Sequence, residues 1–159
     1  NSVRYRIAEL RKLVGGDAVL DDATSRALWN DVSECGFFAA RDNEISARAI
    51  WRVSTAPSRA PDFVRLVQRT GAVAHFYDWG GGLVWLAVDA TGDSRAKDVR
   101  AAVAVAGGHA TLVRAPDEVR AHVDVFQTLP EPLMKLTRGV KASIDPDGIF
   151  NPGRMYARM

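Results

Sequence analysis

The apolar positions of the first 36 residues recur at helical spacing. Four of them, separated by charged residues, predict an amphipathic helix that ends at the glycines 15 and 16: Val3, Ile7, Leu10 and Val14. A second helix is predicted after Asp21, with Leu28, Val32 and Cys35 on one stripe and Gly36 as its end. We therefore expect a helical lead-in segment over residues 1–46.

From residue 47 the pattern changes to short β-rich runs that alternate with helices. Strands are predicted over 49–54, 72–79, 83–89 and 111–114, and helices over 61–69 and 95–106. This is the order βαββαβ of the ferredoxin-like split βαβ motif. We expect an α+β fold over residues 47–129, with a four-stranded antiparallel sheet, both helices on one face, and the other face left for another segment to cover.

The last thirty residues, 130–159, predict a helix over 131–143 and then two turns. Asp145-Pro146-Asp147-Gly148 fits a type I turn, and Asn151-Pro152-Gly153-Arg154 fits a type II turn with glycine where a positive φ is needed. The apolar pair Ile149 and Phe150 lies between them. A helix followed by such turns indicates a tail that docks against a specific surface.

The composition excludes several classes of function. The net charge is only +2 and the basic residues are scattered, so no nucleic-acid footprint is present. No apolar run approaches the roughly 20 residues of a membrane span. Cys35, the single cysteine, is expected to be a buried, inert thiol. No nucleophile–base pair can be assembled, so we predict no catalytic residue in this chain.

The tail also carries a family resemblance. The residues that define it are Lys141, Asp145, Pro146, Gly148, Ile149, Phe150, Asn151, Pro152, Gly153 and Arg154. They resemble the C-terminal signature of FAD-linked oxidases of the vanillyl-alcohol oxidase superfamily. Residues 49–57 and 110–116 narrow the resemblance to the C-terminal cap part of the FAD-binding subunits of glycolate oxidases. The resemblance implies that the tail returns to the flavin domain and that Asn151, Pro152, Gly153 and Arg154 contact FAD.

The flavin site itself is not expected within this chain. FAD needs a glycine-rich cradle for its pyrophosphate, and Gly80-Gly81-Gly82 is better interpreted as a hairpin turn because no helix follows it. The resemblance implies that the flavin-binding half of the protein lies N-terminal to this segment. We therefore expect a C-terminal fragment that is inactive by itself, with the cofactor held by that other half.

Within the whole protein, the resemblance implies part of an FAD-linked 2-hydroxy-acid (glycolate) oxidase. The implied partners are the flavin-binding half of the same protein, a catalytic flavoprotein paralogue, an iron–sulfur subunit and a small 2-hydroxy acid. The implied location is the cytoplasm, where partner subunits would also allow a peripheral position at the inner membrane.

Three residues are candidates for binding the substrate. Arg52 lies in an apolar strand and could hold a carboxylate; the alternative is a structural ion pair with a nearby Asp or Glu. His75 and Tyr77 alternate onto one face of the second strand, together with Trp79. His75 matches the first position of a metal-binding pattern in related enzymes, but the second histidine is missing, so we predict no metal site; the alternative is an ordinary hydrogen-bonded or solvated strand histidine.

The competing interpretation is a non-enzymatic ferredoxin-like module that binds a ligand or regulates a partner. Such a module would dimerise through the open face of its sheet and bind a small effector without flavin. The tail favours the oxidase interpretation, because a regulatory module has no use for a long docking segment that ends in Asn-Pro-Gly-Arg.

Overall fold

The computed structural model describes residues 2–16, 18–38 and 48–156, and the chain divides into two compact units, Asn1–Ala39 and Ala40–Met159. The first unit contains the helices α1 (Ser2–Val14) and α2 (Asp22–Ser33). Asp21 caps α2, because its carboxylate accepts a hydrogen bond of 2.8 Å from the backbone N–H of Thr24. Both predicted helices are present, and Cys35 is buried. The predicted boundary between residues 46 and 47 lies outside the described residues.

The second unit has the predicted α+β fold. Its elements are β1 (Arg48–Ser54), α3 (Ala60–Gln68), β2 (Ala74–Asp78), β3 (Leu83–Asp89), α4 (Ala96–Ala106), β4 (His109–Arg114), α5 (Asp117–Arg120) and α6 (Glu131–Ile144). The strands form one sheet in the order β2-β3-β1-β4, and every pair is antiparallel. This order follows from the split βαβ motif, which places the first strand in the interior of the sheet.

The core lies between one face of the sheet and the helices α3 and α4. Trp51 of β1 is fully buried, with Leu86 of β3 and Leu112 of β4 as its cross-strand neighbours. Phe63 of α3 and Val103 of α4 belong to the same buried cluster. Burial of each such side chain contributes about 1.5–3 kcal/mol. On the opposite face of the sheet, Ile50, Leu83 and Ala87 are buried as well.

Trp51 also makes two polar contacts with the segment that contains α4. Its indole Nε1 donates a hydrogen bond of 3.0 Å to the carbonyl of Ser94, which lies two residues before the start of α4. The guanidinium of Arg100 lies 5.7 Å from the centre of the indole ring, within the range of a cation–π contact. One side chain thus joins the interior strand to the turn that leads into α4 and to α4 itself.

The outer edge of β4 is covered by a segment of irregular chain. The N–H of Leu112 donates to the carbonyl of Val125 at 2.9 Å, and the N–H of Ala110 donates to the side chain of Gln127 at 3.1 Å. Arg100 donates to the carbonyls of Asp124 and Phe126 on the same segment. These bonds satisfy backbone groups that an edge strand would otherwise leave without partners.

The connection between α4 and β4 is unusually close to β1. Gly108 has a φ of +108°, and a Cβ atom at this position would overlap the carbonyl oxygen of Ser54. Thr55 further ties the two segments, because its hydroxyl donates to the carbonyl of Gly107 at 2.8 Å. Only glycine fits position 108, because φ is positive there and because a Cβ atom has no room beside Ser54.

None of the helices in the described part of the chain is both long enough and apolar enough to pass through a bilayer.

Candidate functional site

The tail after α6 is organised around one carboxylate. The side chain of Asp145 is buried, and its Oδ1 accepts a hydrogen bond of 2.9 Å from the N–H of Ile149. Its Oδ2 accepts from the N–H of Phe150 at 3.0 Å and from Nζ of Lys141. Lys141 also donates to the carbonyl of Phe150 at 2.8 Å. The hydrogen bond from Lys141, followed by those from the two amides, lowers the pKa of Asp145 against the opposing effect of burial.

Both predicted turns are present in this tail. The N–H of Gly148 donates to the carbonyl of Asp145, and the N–H of Arg154 donates to the carbonyl of Asn151, each at 3.2 Å. Gly153 has a φ of +70°, as the third residue of a type II turn requires. Asn151 has a φ of +47°, a conformation that asparagine adopts more readily than most residues. The second turn therefore has a defined shape.

The surface of the tail is apolar and open to solvent. Ile149 is 70% exposed and Phe150 is 65% exposed. A cavity of about 370 Å³ lies between the end of α6 and the second turn, and it is lined by Lys141, Ile144, Asp145, Phe150, Asn151, Arg154 and Met155. Its wall is almost wholly apolar. Such a cavity suits an apolar group with polar atoms at its rim.

Two of the predicted cofactor residues, Asn151 and Arg154, line this cavity, and Pro152 and Gly153 form the turn between them. Within the part of the chain that the structure describes, the side chains of Asn151 and Arg154 make no hydrogen bond or ion pair. Beyond the turn, the rings of Tyr156 and Phe126 lie 6.3 Å apart and connect the chain end to the segment beside β4.

Arg52 lies on the face of the sheet opposite to the core. Its cross-strand neighbours are Trp85 of β3 and Thr111 of β4. Its guanidinium carbon lies 5.3 Å from the centre of the Trp79 ring. The alternative role of Arg52, an ion pair with a nearby carboxylate, finds no partner among residues 2–16, 18–38 and 48–156. The indole Nε1 of Trp85 is likewise buried without an acceptor in that part of the chain.

His75 and Tyr77 lie on the other face from Arg52. The register pairs His75 with Leu86 and Tyr77 with Val84, both of which belong to the core face. Their two rings meet edge to face at 5.4 Å. The structure therefore brings His75 and Tyr77 together but separates both from Arg52.

The sequence pattern predicts that Trp79 shares one face of the strand with His75 and Tyr77. In the structure, Trp79 does not continue this alternation. The strand ends at Asp78, whose carboxylate accepts a hydrogen bond of 2.7 Å from the N–H of Trp79. Trp79 then adopts a φ of +51°, and its ring lies beside Arg52. The local turn overrides the strand periodicity at this position.

The Lys141–Asp145 contact was not predicted as part of a site. The signal for it was the spacing of four residues across the end of a helix, which places a lysine and an aspartate on the same side. No three His, Cys, Asp or Glu side chains come together as a metal site among the residues with described positions.

Comparison with known proteins gives one informative match. No family model and no solved structure matches the chain. The chain is 33% identical over 151 residues to the glycolate oxidase subunit GlcE of Escherichia coli (strain K12). The match covers 94% of this chain but 35% of GlcE, so the chain spans about a third of the length of that relative. The resemblance to a glycolate oxidase subunit is thereby confirmed.

Proposed function

The chain is a relative of the glycolate oxidase subunit GlcE, and on that premise we propose that it is the C-terminal cap part of an FAD-linked 2-hydroxy-acid oxidase subunit. The observation that carries the proposal is the structured tail. It ends in a preformed Asn151–Arg154 turn beside an apolar cavity, with two polar side chains left without partners inside the described chain. Such a tail completes a site that another segment builds.

The apolar surface of α6 supports docking against a further part of the same protein. Four residues at helical spacing share one exposed stripe: Leu133, Leu136, Val140 and Ile144. The stripe leads along the chain to the exposed pair Ile149 and Phe150. Contiguous exposed apolar surface of this kind marks an interaction site. We propose that the flavin-binding half of the whole protein covers it.

The turn suits the edge of an FAD site. The apolar wall of the cavity fits the ring system of a flavin, and the amide of Asn151 and the guanidinium of Arg154 offer donors to its polar atoms. FAD, when bound, supplies the acceptor for the hydride. Pro152 fixes the turn between the two side chains. The residues of this chain would orient one side of the cofactor, while the phosphate cradle lies in the other half.

Arg52 is the proposed ligand for the substrate carboxylate. Its guanidinium rests on the Trp79 ring, and no carboxylate within the described residues neutralises it. A cation without a carboxylate partner on this sheet face favours an anionic ligand, and a 2-hydroxy acid provides one. His75 and Tyr77 stay predictions for a separate contact on the other face.

The proposal extends to the assembly around this subunit. The whole protein would transfer electrons to an iron–sulfur subunit and work beside a catalytic flavoprotein paralogue. It would be located in the cytoplasm, with a peripheral position at the inner membrane through those subunits. Purification of the tagged whole protein from its native host, followed by mass spectrometry of stoichiometric partners, tests this part of the proposal.

A reconstitution experiment tests the cofactor role. The 159-residue chain alone is expected to be colourless, and the whole protein is expected to bind FAD. Asn151→Ala and Arg154→Ala in the whole protein should each raise the Kd for FAD by about tenfold, which corresponds to about 1.4 kcal/mol. Fluorescence titration of the apoprotein with FAD measures this change.

Two results would count against the proposal. One is visible flavin absorbance in the purified 159-residue chain, since the cofactor would then need no other half. The other is tight binding of an amino acid or similar effector by that chain, with an unchanged Kd for FAD in both tail variants. The second result would favour the regulatory module.

A further inference from the structure

We propose that Lys141 and Asp145 are positioning residues that hold the Asn151–Arg154 turn in its binding conformation before the cofactor arrives. The inference rests on the proposed function, because it assumes that this turn contacts FAD. It assigns a role to two residues that do not belong to the turn themselves. We call the pair, with its bonds to Ile149 and Phe150, the tail clamp.

The Asp145 carboxylate accepts three hydrogen bonds. Only 6% of Asp145 is exposed, and its two oxygens accept from two backbone amides and one ammonium group. A buried carboxylate needs such donors, and two of the three are amides of the chain that leads into the turn. The carboxylate therefore dictates where residues 149 and 150 lie.

Lys141 contacts two groups of the tail at once. Its ammonium group contacts both Asp145 and the carbonyl of Phe150. The N–H and the C=O of Phe150 are thus held from the same clamp. Asn151 follows directly, and its positive φ of +47° is a conformation that a free chain rarely occupies. A fixed Phe150 determines the direction in which that strained residue starts the turn.

The turn is held at its far end as well. Tyr156 packs against Phe126, which lies in the segment bonded to β4. Residues 151–154 therefore lie between two fixed points. Ordering of a flexible segment opposes binding, so a segment that is ordered in advance binds more tightly. The tail clamp supplies this order from outside the turn itself.

The test uses variants of the whole protein. Asp145→Asn removes the charge but keeps the shape, and Lys141→Met keeps the stem but removes the ammonium group. Asp147→Asn is the matched control, because Asp147 lies in the adjoining turn, is exposed, and makes no side-chain hydrogen bond in the described chain. Two quantities are measured: the Kd for FAD, and the hydrogen-exchange rates of the Ile149 and Phe150 amides.

We expect Asp145→Asn and Lys141→Met each to raise the Kd for FAD by about tenfold and to speed exchange at both amides. The double variant should be about as weak as either single variant, because residues that act as one unit are not additive. Lys141→Arg should restore most of the affinity, since it returns a cation to the same position. Asp147→Asn should change neither quantity.

Other outcomes overturn the inference. If exchange at Ile149 and Phe150 speeds up while the Kd for FAD is unchanged, the clamp is structural only. If Asp147→Asn weakens binding equally, general charge rather than the clamp is responsible. If Asp145→Asn does not fold, Lys141→Met decides the question alone. If Asn151→Ala and Arg154→Ala leave the Kd unchanged, the proposed function itself fails, whatever the clamp variants show.

Discussion

At the residue scale, Trp51 carries an unusual share of the core contacts. It is fully buried, bonds the carbonyl of Ser94, and lies under the guanidinium of Arg100. Trp51→Phe would leave a cavity and an unpaired buried carbonyl, so we expect a loss of about 2–3 kcal/mol in the free energy of unfolding. Urea denaturation followed by circular dichroism measures this loss.

Trp79 provides the matched control for that substitution. Its side chain is 70% exposed, and its described contact is the one with Arg52. Trp79→Phe should change the free energy of unfolding by no more than about 0.5 kcal/mol. Equal losses in the two variants would contradict the assignment of the core to the Trp51 face of the sheet.

Asp145 makes the tail sensitive to acid. The hydrogen bond from Lys141 lowers the pKa of Asp145 in the folded chain, with help from the amides of Ile149 and Phe150. A group with a lowered folded pKa stabilises the structure above its unfolded pKa and loses that contribution as the pH falls through the folded value. We expect the tail to loosen only below the usual aspartate pKa of about 3.9.

Amide exchange or chemical shifts of residues 149 and 150, followed against pH, measure this transition. In the Lys141→Met variant the midpoint should move up towards the usual aspartate value, because the largest cause of the lowered pKa has been removed. The unaltered protein and the Lys141→Met variant both retain Arg154, the other cation that lines the cavity. A midpoint that does not move would show that Lys141 has no part in the effect.

At the element scale, replacing two glycines by alanine should change the free energy of unfolding in opposite directions. Gly108→Ala would overlap the carbonyl of Ser54 and place alanine at a φ of +108°, so we expect a loss of about 2–4 kcal/mol. Gly139 lies inside α6, where an added Cβ would meet nothing within 4 Å, so Gly139→Ala should gain about 0.5–1 kcal/mol. Thermal unfolding of the two variants under identical conditions gives both signs.

The elements of the second unit could be predicted because most of them follow the local pattern. A β-rich run identified β1, alternation identified β3, and the glycines at 107 and 108 marked the end of α4. β2 begins at Ala74 rather than at residue 72, and β4 begins at His109 rather than at 111. These differences arise where hydrogen bonds to neighbouring strands, which the sequence does not display, determine the end of a strand.

The candidate site was less predictable than the elements, because it depends on how neighbouring strands pair. The alternation within one strand correctly placed His75 and Tyr77 on a shared face. It could not relate that face to Arg52, because the pairing of β2 with β3 and of β3 with β1 decides which faces coincide. The turn at Asn151–Arg154 was predictable, since proline and glycine determine its shape locally.

At the scale of the whole molecule, the core belongs to one unit. Every residue of the buried cluster lies between Ala49 and Val123, within the second unit. A chain that begins at residue 40 should therefore retain a cooperative thermal transition, since an independent core is what defines a folding unit. Circular dichroism at increasing temperature tests this expectation. A gradual loss of signal would show that residues 1–39 are needed for cooperative folding.

The position of β1 also has a consequence for the time course of synthesis. This strand leaves the ribosome before its partners, although it occupies the interior of the sheet; its Val53 pairs with Ala110, about sixty residues later. At about 5–20 residues per second, β1 must wait roughly 3–12 seconds for that neighbour. The apolar side of β1 is open to wrong partners during this interval. Slower translation between β1 and β4 would lengthen the time during which β1 can pair incorrectly. The yield of folded protein should therefore depend on the codons between these two strands.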